Sequence, residues 1–226
     1  MQNHFIKLTT TLFFWLIVIL CADNQNTQKT TSNDEYILTA KEYYVKNESC
    51  KGKIDNIQNE LESFVPKDYS ILDTLSGDLN LDNIKDYILV LKKKGEETSS
   101  NVIDSPARRP LLLLLRDVNN KLQLARKNNN TVFCVDCGGM MGDPYMGLTI
   151  KNGYFSVEHY GGSAWRWTRI ITFKYSKKEN EWFLHKDGSQ SFHATEPEKV
   201  ESTMKTRKDI GRIKFEDFDI YKDDEK

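Results

Sequence analysis

The chain has 226 residues, with 32 Lys and Arg against 33 Asp and Glu, so its formal net charge is −1. That balance excludes a strongly basic nucleic-acid binder, whose affinity comes from neutralising many phosphates. With 29% charged and 11% aromatic residues the chain also lies outside the disordered class, and at this length a folded core is expected.

At the amino terminus Lys7 precedes Leu8–Leu20, which ends in an uninterrupted apolar run from Leu12 to Leu20 and is stopped by Asp23. The run is shorter than the roughly 20 apolar residues that cross a bilayer, so residues 1–22 read as a signal peptide and 23–34 as a polar linker. Val18-Ile19-Leu20-Cys21 resembles a bacterial lipobox, and this implies lipidation of Cys21 and a membrane tether. Leu20 stands where that motif carries Gly, Ala or Ser, which leaves ordinary cleavage after Ala22 as the alternative. Either route implies the bacterial cell envelope, lipid-anchored or periplasmic, or secretion. An oxidising compartment permits one disulfide among Cys50, Cys134 and Cys137, within the close pair or from Cys50 to one of them.

Residues 35–226 are expected to form one β-rich domain with an N-terminal helix. Ile54, Ile57, Leu61 and Phe64 recur at three and four residues, the period of a one-sided helix, and Pro66 closes it. From Tyr69 the signals switch to strands. Asp86–Leu91 and Leu111–Leu115 are short apolar runs separated by a polar loop over 92–105, and Val118–Lys121 reads as a turn into a strand at Leu122–Ala125. Leu148–Lys151 and Tyr154–His159 alternate around Asn152-Gly153, the dipeptide that suits a type I′ hairpin turn. Thr168–Tyr175 and Trp182–His185 form another pair, and Ile213–Ile220 reads as a last strand. The fold class expected is mainly β, an antiparallel sandwich or barrel preceded by a short helical segment.

Two segments carry candidate chemistry. Asp78, Asn80, Asp82 and Asp86 occupy positions one, three, five and nine of an acidic loop, and the carbonyl of Ile84 at position seven adds a fifth oxygen. Hard cations such as calcium are held in this way, by alternate side chains turned inward. The segment resembles the calcium loop of dockerins and of FG-GAP or VCBS repeats, and that resemblance implies calcium as cofactor. Asn83 replaces the usual Gly at position six, and Leu89 at position twelve excludes an EF-hand.

The second segment runs from Cys137-Gly138-Gly139 through Gly142-Asp143-Pro144 to Tyr160-Gly161-Gly162-Ser163-Ala164-Trp165-Arg166-Trp167. Over Leu111–Leu184 this pattern resembles a family of exported bacterial proteins with no assigned function. Trp165 and Trp167 share one face of a strand, and beside Tyr160 they form a candidate platform for a sugar ring. No nucleophile elbow, His-Glu-x-x-His or phosphate loop is present. The leading expectation is therefore an envelope or secreted calcium-braced binding or structural module, partnered by a glycan or an envelope protein. A hydrolase using Asp143, His159 and Tyr160 and a carbohydrate-binding module are the alternatives.

Overall fold

The computed structural model describes residues 56–222, so the signal peptide, the linker, Cys21 and Cys50 lie outside the described residues. The chain divides into two compact units, residues 1–60 and 61–226, and the second holds every described strand. Residues 56–62 are helical, in line with the expected helix, whose first residues are outside the described range. Among the described residues no helix is long and apolar enough to cross a membrane.

The fold is mainly β. Strands β1 (Tyr69–Gly77), β2 (Asp86–Lys93), β3 (Arg109–Arg116) and β4 (Leu122–Val132) form a four-stranded antiparallel sheet in sequential order. Strands β5 (Tyr145–Lys151), β6 (Tyr154–Gly162), β7 (Trp165–Ser176), β8 (Glu181–His193) and β9 (Glu201–Thr206) form a five-stranded one, also sequential. Consecutive hairpins explain this order, because antiparallel neighbours need only a short turn. The Asn152-Gly153 turn is as the dipeptide requires, with φ of 52° and 72° at its two residues.

The two sheets share one core. Ile88, Val90, Leu111 and Leu113 of the first meet Phe155, Val157, Ile171 and Phe173 of the second. In β2 and β3 the residues of the opposite face, Leu89, Leu91, Leu112 and Leu114, are buried as well. Burial on both faces is why these strands read as continuous apolar runs rather than as alternation. By contrast β6 alternates strictly, with Phe155, Val157, His159 and Gly161 buried and the residues between them only partly so.

Ile213–Ile220 is not a strand. Lys214 makes a single bridge to Phe183, and Phe215–Asp217 then forms a 3-10 turn. Phe215 and Phe218, three apart, both reach the core, where Phe215 meets Phe155 and Phe173 edge-on. The turn is held by Asn128, whose buried side-chain amide donates to the carbonyls of Phe215 and Phe218, the latter at 2.8 Å. Several elements had no sequence signal: β9, the one-turn helices at Glu96–Ser99 and Arg207–Ile210, and a 3-10 turn at Gly139–Met141.

Candidate functional site

The acidic loop joins β1 to β2, and its three carboxylates converge. Ligand oxygens of Asp78, Asp82 and Asp86 lie within 4.8 Å of one another. Asn80 belongs to the same knot, since its side-chain oxygen accepts from the Asp82 N–H at 3.1 Å and its amide donates to Asp82 Oδ2 at 2.8 Å. The N–H groups of Asp82 and Asn83 donate to Asp78, and that of Ile84 donates to Asp82 at 2.7 Å. These bonds coil the backbone around the side-chain oxygens. Asn83 takes the left-handed conformation with φ 66°, and so does Leu81 with φ 63°, which costs a bulky residue about 1–2 kcal/mol.

Contacts on the loop's other side account for that strain. Leu79 is fully buried, and its carbonyl accepts from the Trp182 indole at 3.2 Å. Leu81 packs on the hairpin turn at Gly153, where a Cβ would fall 2.9 Å from its Cγ, and its carbonyl accepts from Lys177 Nζ at 2.7 Å. The loop is thereby fastened to the second sheet by apolar residues at alternate positions, while the acids between them face one another. Asp86 sits deepest. Burial raises its pKa to about 6, with Asp82 and Asp78 adding to the rise, against the N–H donors of Arg116 and Leu79.

The glycine segment is a close-packed corner. The Gly162 N–H donates to the Gly138 carbonyl at 2.9 Å, and the Gly138 N–H donates to that of Gly142 at 3.0 Å. Trp167 lies over Gly161, where a Cβ would be 2.5 Å from the indole. Beside this corner Cys134 and Cys137 form a disulfide, the close-pair alternative of the two expected. Gly138, Gly161 and Gly162 thus stand where backbone or an indole ring approaches closely.

Trp165 and Trp167 do share a face, the inner face of β7. Trp165 is 57% exposed and meets the His193 ring edge-on, while Trp167 is partly buried against Phe133. Tyr160 does not join them: it pairs with Thr168, and Gly161 pairs with Trp167, so its side chain is on the other face of the sheet.

Asp143, His159 and Tyr160 are not brought together as a nucleophile and base either. Both oxygens of Asp143 accept from Arg109, each at 2.7 Å. His159 is buried, and its Nε2 accepts from the Phe133 N–H at 3.3 Å. Burial lowers its pKa to about 3, helped by the charges of Arg169 and Arg109 and opposed by the Arg169 backbone and Asp143.

That shift sets a pH dependence. The unfolded chain takes up a proton near 6.5, whereas the folded one withholds it until about 3. This contribution to stability is therefore complete above pH 6.5 and is lost as pH falls through that window, with a slope of up to about 1.4 kcal/mol per pH unit. Asp86, raised to about 6, works in the opposite direction over the same range, so the contribution of His159 is read as a difference: the urea midpoint of the wild type relative to that of His159→Gln, which keeps an acceptor for Phe133, is expected to fall between pH 6.5 and 5. A constant difference would assign the pH dependence to other groups.

A polar hollow that spacing alone did not point to opens between the strand ends and the C-terminal segment, with a volume of about 350 Å³. Phe133, Trp167, Arg169, Asp187, Ser189 and Lys222 line it, with Thr203 and Lys205 from β9. Arg169 and Asp187 are paired through Nε at 3.0 Å and Nη2 at 2.7 Å, and the Arg169 Nη1 donates to the Ile220 carbonyl at 3.3 Å. Only the β7–β8 register relates residues 169 and 187, so no motif signals them. No family, curated protein or solved structure matches this chain.

Proposed function

We propose that this chain is a calcium-braced β module of the bacterial cell envelope or the secreted space, and that it works by binding rather than by catalysis. The observation that carries the reading is the convergence of Asp78, Asp82 and Asp86 within 4.8 Å on a loop already anchored to the opposite sheet. Asn80 and the Ile84 carbonyl complete five protein oxygens, and water supplies the rest of a calcium shell. A cation there cancels the repulsion among three carboxylates and so holds the β1–β2 hairpin in place against the β5–β6 and β7–β8 turns. The amino-terminal apolar run and a disulfide suited to an oxidising compartment support the location.

Calcium is expected to raise the melting temperature. A ligand that binds only the native state stabilises it by about 2.7 kcal/mol at a hundredfold excess over Kd, or roughly 5–10 °C for a chain of this size. Magnesium should raise it less, because it demands tighter octahedral geometry and gives up water reluctantly. Asp82→Ala removes an exposed carboxylate and should erase most of the calcium shift while the protein still folds. Equal melting in chelator and in millimolar calcium, with no heat of binding, would reduce the loop to an ordinary acidic turn.

A further inference from the structure

On the inner face of the second sheet, cross-strand register stacks side chains in rows. Val157, Ile171, Asp187 and Lys205 form one row, and His159, Arg169, Ser189 and Thr203 the next. Gly161, Trp167, Ser191 and Glu201 form a third, beyond which Trp165 opposes His193. Along β7 the same face passes from Phe173 and Ile171, both buried, to Arg169 and Trp167, partly buried, and then to Trp165, exposed. The face that builds the core therefore continues past it as an open polar and aromatic surface, and the 350 Å³ hollow lies on this continuation.

We propose that this hollow binds an acidic saccharide, a sugar chain that carries carboxylates. Three features of the lining select that class, and the proposal rests on the reading of this chain as a binding module. The first is its aromatic floor: the Trp167 and Phe133 rings meet at 68°, so one supplies a flat face for the C–H side of a pyranose while the other walls it. The second is a fixed polar pair. Arg169 is held by Asp187 and the Ile220 carbonyl, and its guanidinium lies over the Phe133 ring at 5.9 Å, so the pair is oriented before a ligand arrives. Asp187 keeps lone pairs for sugar hydroxyls, and Ser189 and Thr203 add two groups that both donate and accept.

The third feature is charge. Arg169 and Asp187 offset one another, and the exposed Lys222 adds a positive charge at the rim, so the hollow favours an anion over a neutral ring of the same shape. Its volume lies at the small end of ligand pockets, roughly 300–1,000 Å³, which fits one or two sugar units of a longer chain rather than a large cofactor.

Calorimetric titration of the whole mature protein, in millimolar calcium, with a galacturonate tetrasaccharide and with its neutral galactose counterpart tests the proposal. The acidic chain is expected to bind at least tenfold more tightly than the neutral one, and to weaken as salt rises. Trp167→Ala should reduce its affinity tenfold or more. Because Trp167 also packs on Gly161, the exposed Lys222→Glu serves as the second variant, and it should weaken the acidic chain about tenfold while leaving the melting temperature unchanged. Equal binding of both sugars, no binding of either, or wild-type affinity in Lys222→Glu would each overturn it. Failure here with an intact calcium shift sinks the saccharide site alone, whereas binding without any calcium shift sinks the brace alone.

Discussion

Replacing Arg109 by Met is expected to destabilise the protein by about 3–5 kcal/mol, the cost of leaving a buried charge without its partner. Arg109 is 1% exposed, and it meets Glu96, which is fully buried, through Nε at 2.9 Å and Nη2 at 2.5 Å. Its outer nitrogens hold both oxygens of Asp143. One side chain from β3 thus ties together the helical turn after β2 and the loop that leads into β5. The contributions are unequal because the carboxylates are unequally buried. Asp143 has 37% of its side chain exposed, so water takes over when the arginine is removed, but Glu96 has no such recourse.

Two further variants separate these contributions. Asp143→Asn should cost much less than Arg109→Met. Adding Glu96→Gln to Arg109→Met should recover most of the loss, since it removes the stranded charge while keeping an acceptor for the Lys93 N–H, now bonded to Glu96 Oε2 at 3.2 Å. Urea unfolding with unchanged m-values measures each difference. A double variant no more stable than Arg109→Met would mean that the arginine acts through packing instead.

Much of this architecture is legible along the chain, for a physical reason. Where a strand is covered on both faces, as at Ile88–Leu91 and Leu111–Leu114, the apolar run announces it, and where the turn dictates backbone sign, as at Asn152-Gly153, the dipeptide does. The acidic loop is legible too, because its groups converge through local bonds between residues two to five apart. Residues 213–220 mislead because Phe215 and Phe218 fit a half-buried strand and a tight turn equally well, and it is the distant Asn128 that holds the turn. The same distance hides the hollow, whose floor joins Phe133 to Trp167 and whose polar pair joins Arg169 to Asp187. Local patterns reveal what local forces build, and these groups meet only after two sheets have formed.

The glycine corner shows how a pattern suggestive of a ligand loop arises from packing, and it yields the second large effect. Gly162→Ala is expected to cost roughly 2–6 kcal/mol, combining backbone strain of about 1–3 kcal/mol with overpacking of similar size. At Gly162 φ is +113°, and a Cβ would stand 2.0 Å from the Trp165 carbonyl oxygen, a backbone atom that cannot rotate away. Gly138→Ala should also be severe without any unfavourable φ, since its Cβ would come within 2.2 Å of the Gly142 carbonyl oxygen. Gly95→Ala is the control. Its φ is +76° with nothing within 4 Å, so only the left-handed penalty of about 1–2 kcal/mol applies. Because the Gly138–Gly162 bond fixes the end of β6, where Gly161 pairs with Trp167, losing it should also displace Trp167, and quenched or shifted tryptophan fluorescence in the folded Gly138→Ala protein would report that movement. If Gly138→Ala and Gly162→Ala proved no more costly than Gly95→Ala, the corner would be yielding at its backbone, and the glycines would need another explanation than close approach.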